Sequence, residues 1–296
     1  MTTNIQKVTV LGTGVLGSQI AYQTAYRGYQ VTAYDVSENA IETGQQRIRR
    51  LAERYEREVK LAANGRAQDA LGRISYTSDL AGAVRDADLV IEAAPELLEL
   101  KRDLYGKLAK VAPEKTIFAT NSSTLLPSDL ADDTGRPDRF LALHFANEIW
   151  IRNMAEIMGH PRTDPDVYQT VVEFARSIGM EPIEIKKEHP AYILNSLLGA
   201  WFDSALDLVL DGIAEPEMVD KTWRIATGAP EGPFQVLDIT GLRTLYNIQS
   251  SLPDESAQAR ARYVKERYID KGKFGRESGE GFYTYPVEAD DAALVA

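Results

Sequence analysis

Short runs of apolar and β-branched residues alternate with longer amphipathic stretches as far as about residue 187, and then the runs stop. The runs are Lys7–Leu11, Gln30–Tyr34, Ile74–Thr77, Asp88–Ala94, Thr116–Thr120, Phe140–Phe145, Met154–Met158 and Glu181–Ile185. Such runs, bounded by polar residues, predict strands, most of them buried and parallel. Between them lie helical patterns: Ser18 to Arg27, a charged stretch carrying Ile41, Ile48, Leu51 and Tyr55, the series Leu97, Leu100, Leu104 and Leu108, and Asp164 to Ile178. This alternation predicts a doubly wound α/β domain. Charges crowd Gln45 through Lys60, and Asn64-Gly65 breaks the pattern before a shorter helical piece. The two helical patterns read as a hairpin standing off the sheet, or equally as a solvated pair. From Pro190 onward Ile193, Leu197, Leu198, Trp201, Leu206, Val209 and Leu210 mark a long helix. Further helices are punctuated by Gly228-Ala229-Pro230, Gly232-Pro233 and Leu252-Pro253. The expected domains are 1–187, α/β and Rossmann-like, and 188–296, all helical. The acidic, alanine-rich tail past Pro286 is expected to fray.

The first run feeds Gly12-Thr13-Gly14-Val15-Leu16-Gly17, a helical pattern follows, and the second run ends in Asp35. Gly12 permits a tight turn, Gly14 lets backbone N–H groups approach a pyrophosphate, and Gly17 allows close helix–strand packing. The acid about twenty residues on accepts hydrogen bonds from an adenosine ribose. A lone glycine motif is weak evidence, but here strand, glycines, helix, second strand and acid occur in order. The stretch predicts a dinucleotide site. Asp35 favours NAD over NADP, because it would repel a 2′-phosphate.

Composition narrows the classes. A chain of 296 residues has room for two domains and a substantial core. The formal net charge of −11 argues against nucleic-acid and membrane partners. No cysteine occurs, which removes disulfides, thiol nucleophiles and thiolate metal sites. With no leader or long apolar span evident, a cytoplasmic enzyme acting on a small molecule is expected, without a metal.

Ligands of open α/β sheets bind beyond the carboxyl ends of the strands. The polar residues there are Glu96, Asn121, Ser122, Ser123, His144 and Asn147, with Glu156 on the next strand. Only three histidines exist, His144, His160 and His189. His144 ends a buried run, where an imidazole needs a partner.

These residues, together with several later motifs, resemble the L-3-hydroxyacyl-CoA dehydrogenase family over nearly the whole chain. The resemblance runs through Val10–Gly17, Ile91-Glu92-Ala93-Ala94 with Glu96 and Lys101, Asn121-Ser122-Ser123, Asp138-Arg139-Phe140 and His144-Phe145-Ala146-Asn147. Glu156, twelve positions past His144, completes the family's catalytic pair. Asn195 closes Pro190-Ala191-Tyr192-Ile193-Leu194-Asn195, similar to the family's Pro-Gly-Phe-Ile-x-Asn. Gly232-Pro233-Phe234, Leu237-Asp238, Gly241-Leu242, Lys273-Phe274-Gly275 and Gly279–Tyr283 extend it to the end.

The resemblance implies NAD-dependent oxidation of a short-chain 3-hydroxyacyl-CoA, such as 3-hydroxybutyryl-CoA, and its reverse, in fatty acid metabolism. His144 would move the proton and Glu156 would hold and stabilise the imidazole. Ser123 and Asn195 would bind the reacting oxygen, with Asn147 in support. Gly12, Gly14, Val15, Leu16, Gly17, Asp35, Asn121 and Ser123 would hold NAD, and Glu96 and Lys101 its nicotinamide ribose. A solvated helix position is the alternative for Lys101. The helical domain would complete the substrate site and form a homodimer.

Departures from the family cluster near the substrate. His-Phe-Phe-Asn-Pro becomes His144-Phe145-Ala146-Asn147-Glu148, Trp150-Ile151-Arg152-Asn153 replaces a more apolar segment, and Ala191 and Ser196 replace a glycine and an arginine. Arg54, Arg57 and Lys60 could meet CoA phosphates or form surface ion pairs. Two rivals therefore stand beside the acyl-CoA reading. One is a related dehydrogenase of a free or unusual hydroxy acid, and the other is a cofactor-binding regulatory or structural protein without turnover.

Overall fold

In the computed structural model, residues 4–59 and 64–285 are described. Lys60 and the tail past Pro286 lie outside them. The chain divides into two compact units, Met1–Ile193 and Leu194–Ala296, where the sequence placed the boundary near Lys187.

The first unit is built on β1 (Lys7–Leu11), β2 (Gln30–Tyr34), β3 (Ile74–Thr77), β4 (Leu89–Glu92), β5 (Ile117–Thr120), β6 (Phe140–Phe145), β7 (Met154–Met158) and β8 (Glu181–Ile185). They form one sheet in the order β3-β2-β1-β4-β5-β6-β7-β8. Neighbours run parallel except β6 and β7. The order reverses between β1 and β4, the place where ligands of such sheets bind beyond the strand ends.

Its helices are α1 (Val15–Tyr26), α2 (Glu38–Glu58), α3 (Arg66–Leu71), α4 (Leu80–Val84), α5 (Leu98–Val111) and α6 (Pro165–Ser177). Strand alternation divides the core between two faces. Val8, Val10, Leu141, Leu143 and Phe145 join α1, α2, α3 and α6 in one cluster. Leu11, Phe118 and Phe140 join α4 and α5 in the other.

The helical hairpin needs a correction, because α2 and α3 do not stand off. Ile48, Leu51 and Tyr55 of α2 and Ala67 and Ala70 of α3 are buried in the α1 cluster. Tyr55 meets Tyr22 edge-on at 4.7 Å and donates its hydroxyl to Gln23 Oε1 at 2.6 Å. An apolar stripe on so charged a helix is stable only when it faces a partner, and α1 supplies one.

The second unit holds α7 (Leu194–Leu210), α8 (Pro216–Thr227), α9 (Pro233–Thr240), α10 (Leu242–Ser251) and α11 (Glu255–Arg267) around Phe202, Leu206, Phe234, Leu237 and Val264. Two buried carboxylates tie it together. Asp220 accepts the Phe234 and Gln235 N–H groups that open α9, and Asp238 accepts those of Phe282 and Tyr283. Among the described residues no helix is long and apolar enough to cross a membrane.

Candidate active site

The glycine turn links β1 to α1. Gly12 has φ 99°, and a Cβ there would lie 2.6 Å from the Ala93 carbonyl oxygen. A Cβ on Gly17 would lie 2.0 Å from the Gly12 oxygen, whereas Gly14 faces open space. The first turn of α1, including Val15 and Leu16, has no side-chain cap, so its N–H groups can meet an anion. Asp35 braces the turn. Its Oδ2 accepts from the Thr13 N–H at 2.8 Å and hydroxyl at 2.7 Å, and its Oδ1 accepts from the Val36 N–H at 2.8 Å. A carboxylate has about four acceptor positions, so about one is left for a ribose hydroxyl. This chemistry fits a dinucleotide.

Across the sheet, register brings together the candidate pair His144 and Glu156. The antiparallel β6–β7 ladder sets His144 directly opposite Glu156, which explains their spacing of twelve. His144 Nδ1 lies 2.8 Å from Glu156 Oε2, and Nε2 lies 3.2 Å from Ser123 Oγ. His144 is 4% exposed and Glu156 0%. The network assigns the Nδ1 proton to the carboxylate side, leaving Nε2 toward Ser123. Glu156 Oε1 accepts the Ile193 N–H at 2.8 Å. Asn121 Oδ1 accepts the Phe145 N–H at 3.0 Å, pinning the end of β6 beside β5.

Glu96 shapes the turn that carries Ser123. Its Oε1 accepts from the N–H groups of Ser123 (3.0 Å) and Thr124 (2.9 Å) and from the hydroxyls of Ser122 and Thr124. Burial alone would raise its pKa. The Ser122 hydrogen bond, the Lys101 charge and the Thr124 hydrogen bonds outweigh that and hold it below the usual carboxylate range.

Residues 7–189 match the family model of the 3-hydroxyacyl-CoA dehydrogenase NAD-binding domain, and residues 192–285 match that of the 3-hydroxyacyl-CoA dehydrogenase C-terminal domain. The chain belongs to the 3-hydroxyacyl-CoA dehydrogenase family. It is an oxidoreductase with NAD as its cofactor. The human mitochondrial hydroxyacyl-coenzyme A dehydrogenase is 32% identical over 288 residues, 95% of this chain and 91% of that one. The crystal structure of FadB2 from M. tuberculosis is 30% identical with a TM-score of 0.86, over 95% of this chain and 99% of that one. A solved diketoreductase, described by its substrate-directed dual catalysis of dicarbonyl compounds, is 62% identical with a TM-score of 0.92. It covers 96% of this chain and 100% of its own.

Against that family background, the position of Lys101 is informative. It is 1% exposed, which removes the solvated-lysine alternative. Its Nζ lies 2.5 Å from Glu92 Oε1, 3.2 Å from the Ala94 oxygen and 3.4 Å from Glu96 Oε2. Glu92 also accepts from the Ala94 N–H, the Thr120 hydroxyl and the Tyr105 hydroxyl. This fully satisfied buried pair supports the Glu96 turn from below. In the sequence Glu92 stands in the Ile91-Glu92-Ala93-Ala94 motif with no role of its own. The available signal was an acid closing a run buried at every position, which requires a partner.

The loop after His144 is held on α2. Glu148 has φ 60° and donates its N–H to Gln19 Oε1 at 2.8 Å. Its carboxylate pairs with Arg54 at 3.2 Å, and Arg54 pairs with Glu58 at 2.9 Å. Trp150 donates to Glu58 at 2.7 Å and lies under the Arg54 guanidinium, 4.8 Å from its ring centroid. Asn147 is exposed, and Asn195 is the half-buried second residue of α7 in the helical unit. The remaining histidines serve structure. His160 donates to the Pro137 carbonyl, and burial lowers its pKa; His189 bonds the Pro190 carbonyl.

Proposed function

We propose that this protein is an NAD(H)-dependent reductase of 1,3-dicarbonyl compounds that are not bound to CoA, returning the 3-hydroxy product. The observation that carries this reading is the Glu148–Arg54–Glu58 clamp. It pairs Arg54, one of the α2 cations that could meet CoA phosphates, with two carboxylates and adds an acid beside the loop. The 62% identity to a diketoreductase supports the same reading.

When bound, the nicotinamide cofactor would supply a hydride to the carbonyl carbon as NADH and take it back as NAD+ in the reverse direction. In reduction, protonated His144 donates from Nε2 to the carbonyl oxygen; in oxidation it takes that proton back. Glu156 keeps the Nδ1 proton in place and stabilises the imidazolium with an opposite charge. Ser123 donates a hydrogen bond to the reacting oxygen, and Glu96 holds the turn that aims it. Burial of His144 and Glu156 keeps bulk water from the proton's path.

A 3-oxoacyl thioester is also a 1,3-dicarbonyl, so the second reading, 3-hydroxyacyl-CoA dehydrogenation, uses the same reacting atoms. Family membership favours it. The two separate on what is attached beyond the second carbonyl. NADH oxidation with a free 1,3-dicarbonyl compound that carries no CoA, such as an acetoacetate ester, and with acetoacetyl-CoA compares them. The first reading expects kcat/KM at least about tenfold higher for the free compound. A preference of that size for the thioester replaces it with the second.

A further inference from the structure

The segment Pro190–Ile193 leads from β8 into α7, and its backbone is unusual. Ala191 and Tyr192 both have left-handed backbone, with φ 62° and 56°. Residues with a Cβ avoid that region, and two in succession persist only where their surroundings over-determine them. Two consequences are visible. Ile193 is turned so that its N–H reaches Glu156 Oε1 at 2.8 Å. Tyr192 is driven inward, 1% exposed, with its ring 4.9 Å from the His144 imidazole at an interplanar angle of 37°.

The ring also packs in one cluster with Ala142 and Met158, and these lie opposite each other in the β6–β7 ladder. Alternation puts Ala142 on the same face as His144, and Met158 on the same face as Glu156. Ala142 is small and leaves space beside the imidazole. Tyr192 fills it.

We propose that Tyr192 is a positioning residue for the proton relay. Its ring fixes the His144 imidazole, and the turn it forms with Ala191 aims the Ile193 N–H at Glu156. This rests on the roles given above to His144 and Glu156. With Oε1 held by Ile193 and Oε2 by His144, the carboxylate cannot exchange its oxygens or swing away. The ring prevents an imidazole rotation that would take Nε2 from Ser123. Burial and the surrounding Glu96, Glu156, Glu92 and Glu188 push the Tyr192 pKa upward and keep the hydroxyl neutral, and the positioning is assigned to the ring, which meets the imidazole.

Steady-state kinetics of Tyr192→Leu and Tyr192→Phe with NADH and the better of the two substrates test this. Tyr192→Leu is expected to lower kcat about tenfold or more, with both KM values within about twofold, and Tyr192→Phe, which keeps the ring, to recover most of the loss. A smaller fall in Tyr192→Leu, or equal impairment of both variants, overturns the proposal. Should Tyr192→Leu not fold, the Ile193 amide proton is compared in the wild type and in Glu156→Gln. A downfield resonance that moves upfield in the variant supports the turn's role, and an unmoved one overturns it. His144→Asn keeps the two layers apart. Turnover surviving in His144→Asn removes the relay itself, whereas its loss there alongside an unaffected Tyr192→Leu removes only this inference.

Discussion

Glu96 holds the Ser123 turn through one oxygen, and that bond makes a pH prediction. Its folded-state pKa lies below its ordinary value, so its ionised form contributes stability above about pH 4.3, the unfolded value. The contribution disappears as pH falls through the lower, folded value. Glu96→Gln is therefore expected to lower Tm near neutral pH, and the gap from wild type should close in acid; a gap that widens on acidification contradicts this. Glu156 bonds the imidazole rather than a turn, and the relay proposed above gives it a different duty. Glu156→Gln should lower kcat by about 10²-fold or more while leaving NADH affinity near wild type, read by fluorescence titration. Equal losses in kcat and NADH affinity would assign Glu156 to cofactor binding instead.

At the level of elements, the β1–α1 turn and the β6–β7 ladder carry the site. Gly17 has no room for a Cβ against Gly12, so Gly17→Ala is expected to cost about 1–3 kcal/mol and to weaken NADH binding. Denaturant titration and NADH fluorescence check the two effects, and an unchanged midpoint would contradict the close packing. The turn was legible in the sequence, because its glycines sit between an apolar run and a helical pattern. The two strands of the ladder were legible as apolar runs, but their antiparallel pairing was not, and the link between His144 and Glu156 came from the family resemblance. The α2–α3 pair was less legible, because its charges dominate the pattern and its stripe shows little of which helix covers it. Glu92, Tyr105 and Thr120 were missed for a related reason. Each lies far from the others along the chain, and only the β4–β5 pairing and the overlying α5 bring them together. Tyr192 gave no signal beyond the loss of a glycine at 191, since left-handed backbone in a residue with a Cβ is set by tertiary contacts.

On the scale of the molecule, an α/β unit carries the cofactor turn and the relay, and a helical unit carries Asn195. Alternation of strand and helix announced the first, and the disappearance of strand patterns announced the second. The family explains why both occur in this order. Substrate identity is the property least encoded by fold, because it depends on the few positions where this chain departs from its relatives, Ala146 to Asn153 above all. The central claim is that a Ser123–His144–Glu156 relay, with His144 and Glu156 buried, delivers the proton that accompanies hydride transfer. The most direct test is a single-turnover reduction by NADH deuterated at the transferred position, run on wild type and His144→Asn. The wild type should show rapid NADH oxidation with a primary isotope effect, and the variant should bind NADH normally while oxidising it about 10²-fold more slowly or less. Comparable rates in the two proteins would contradict the account.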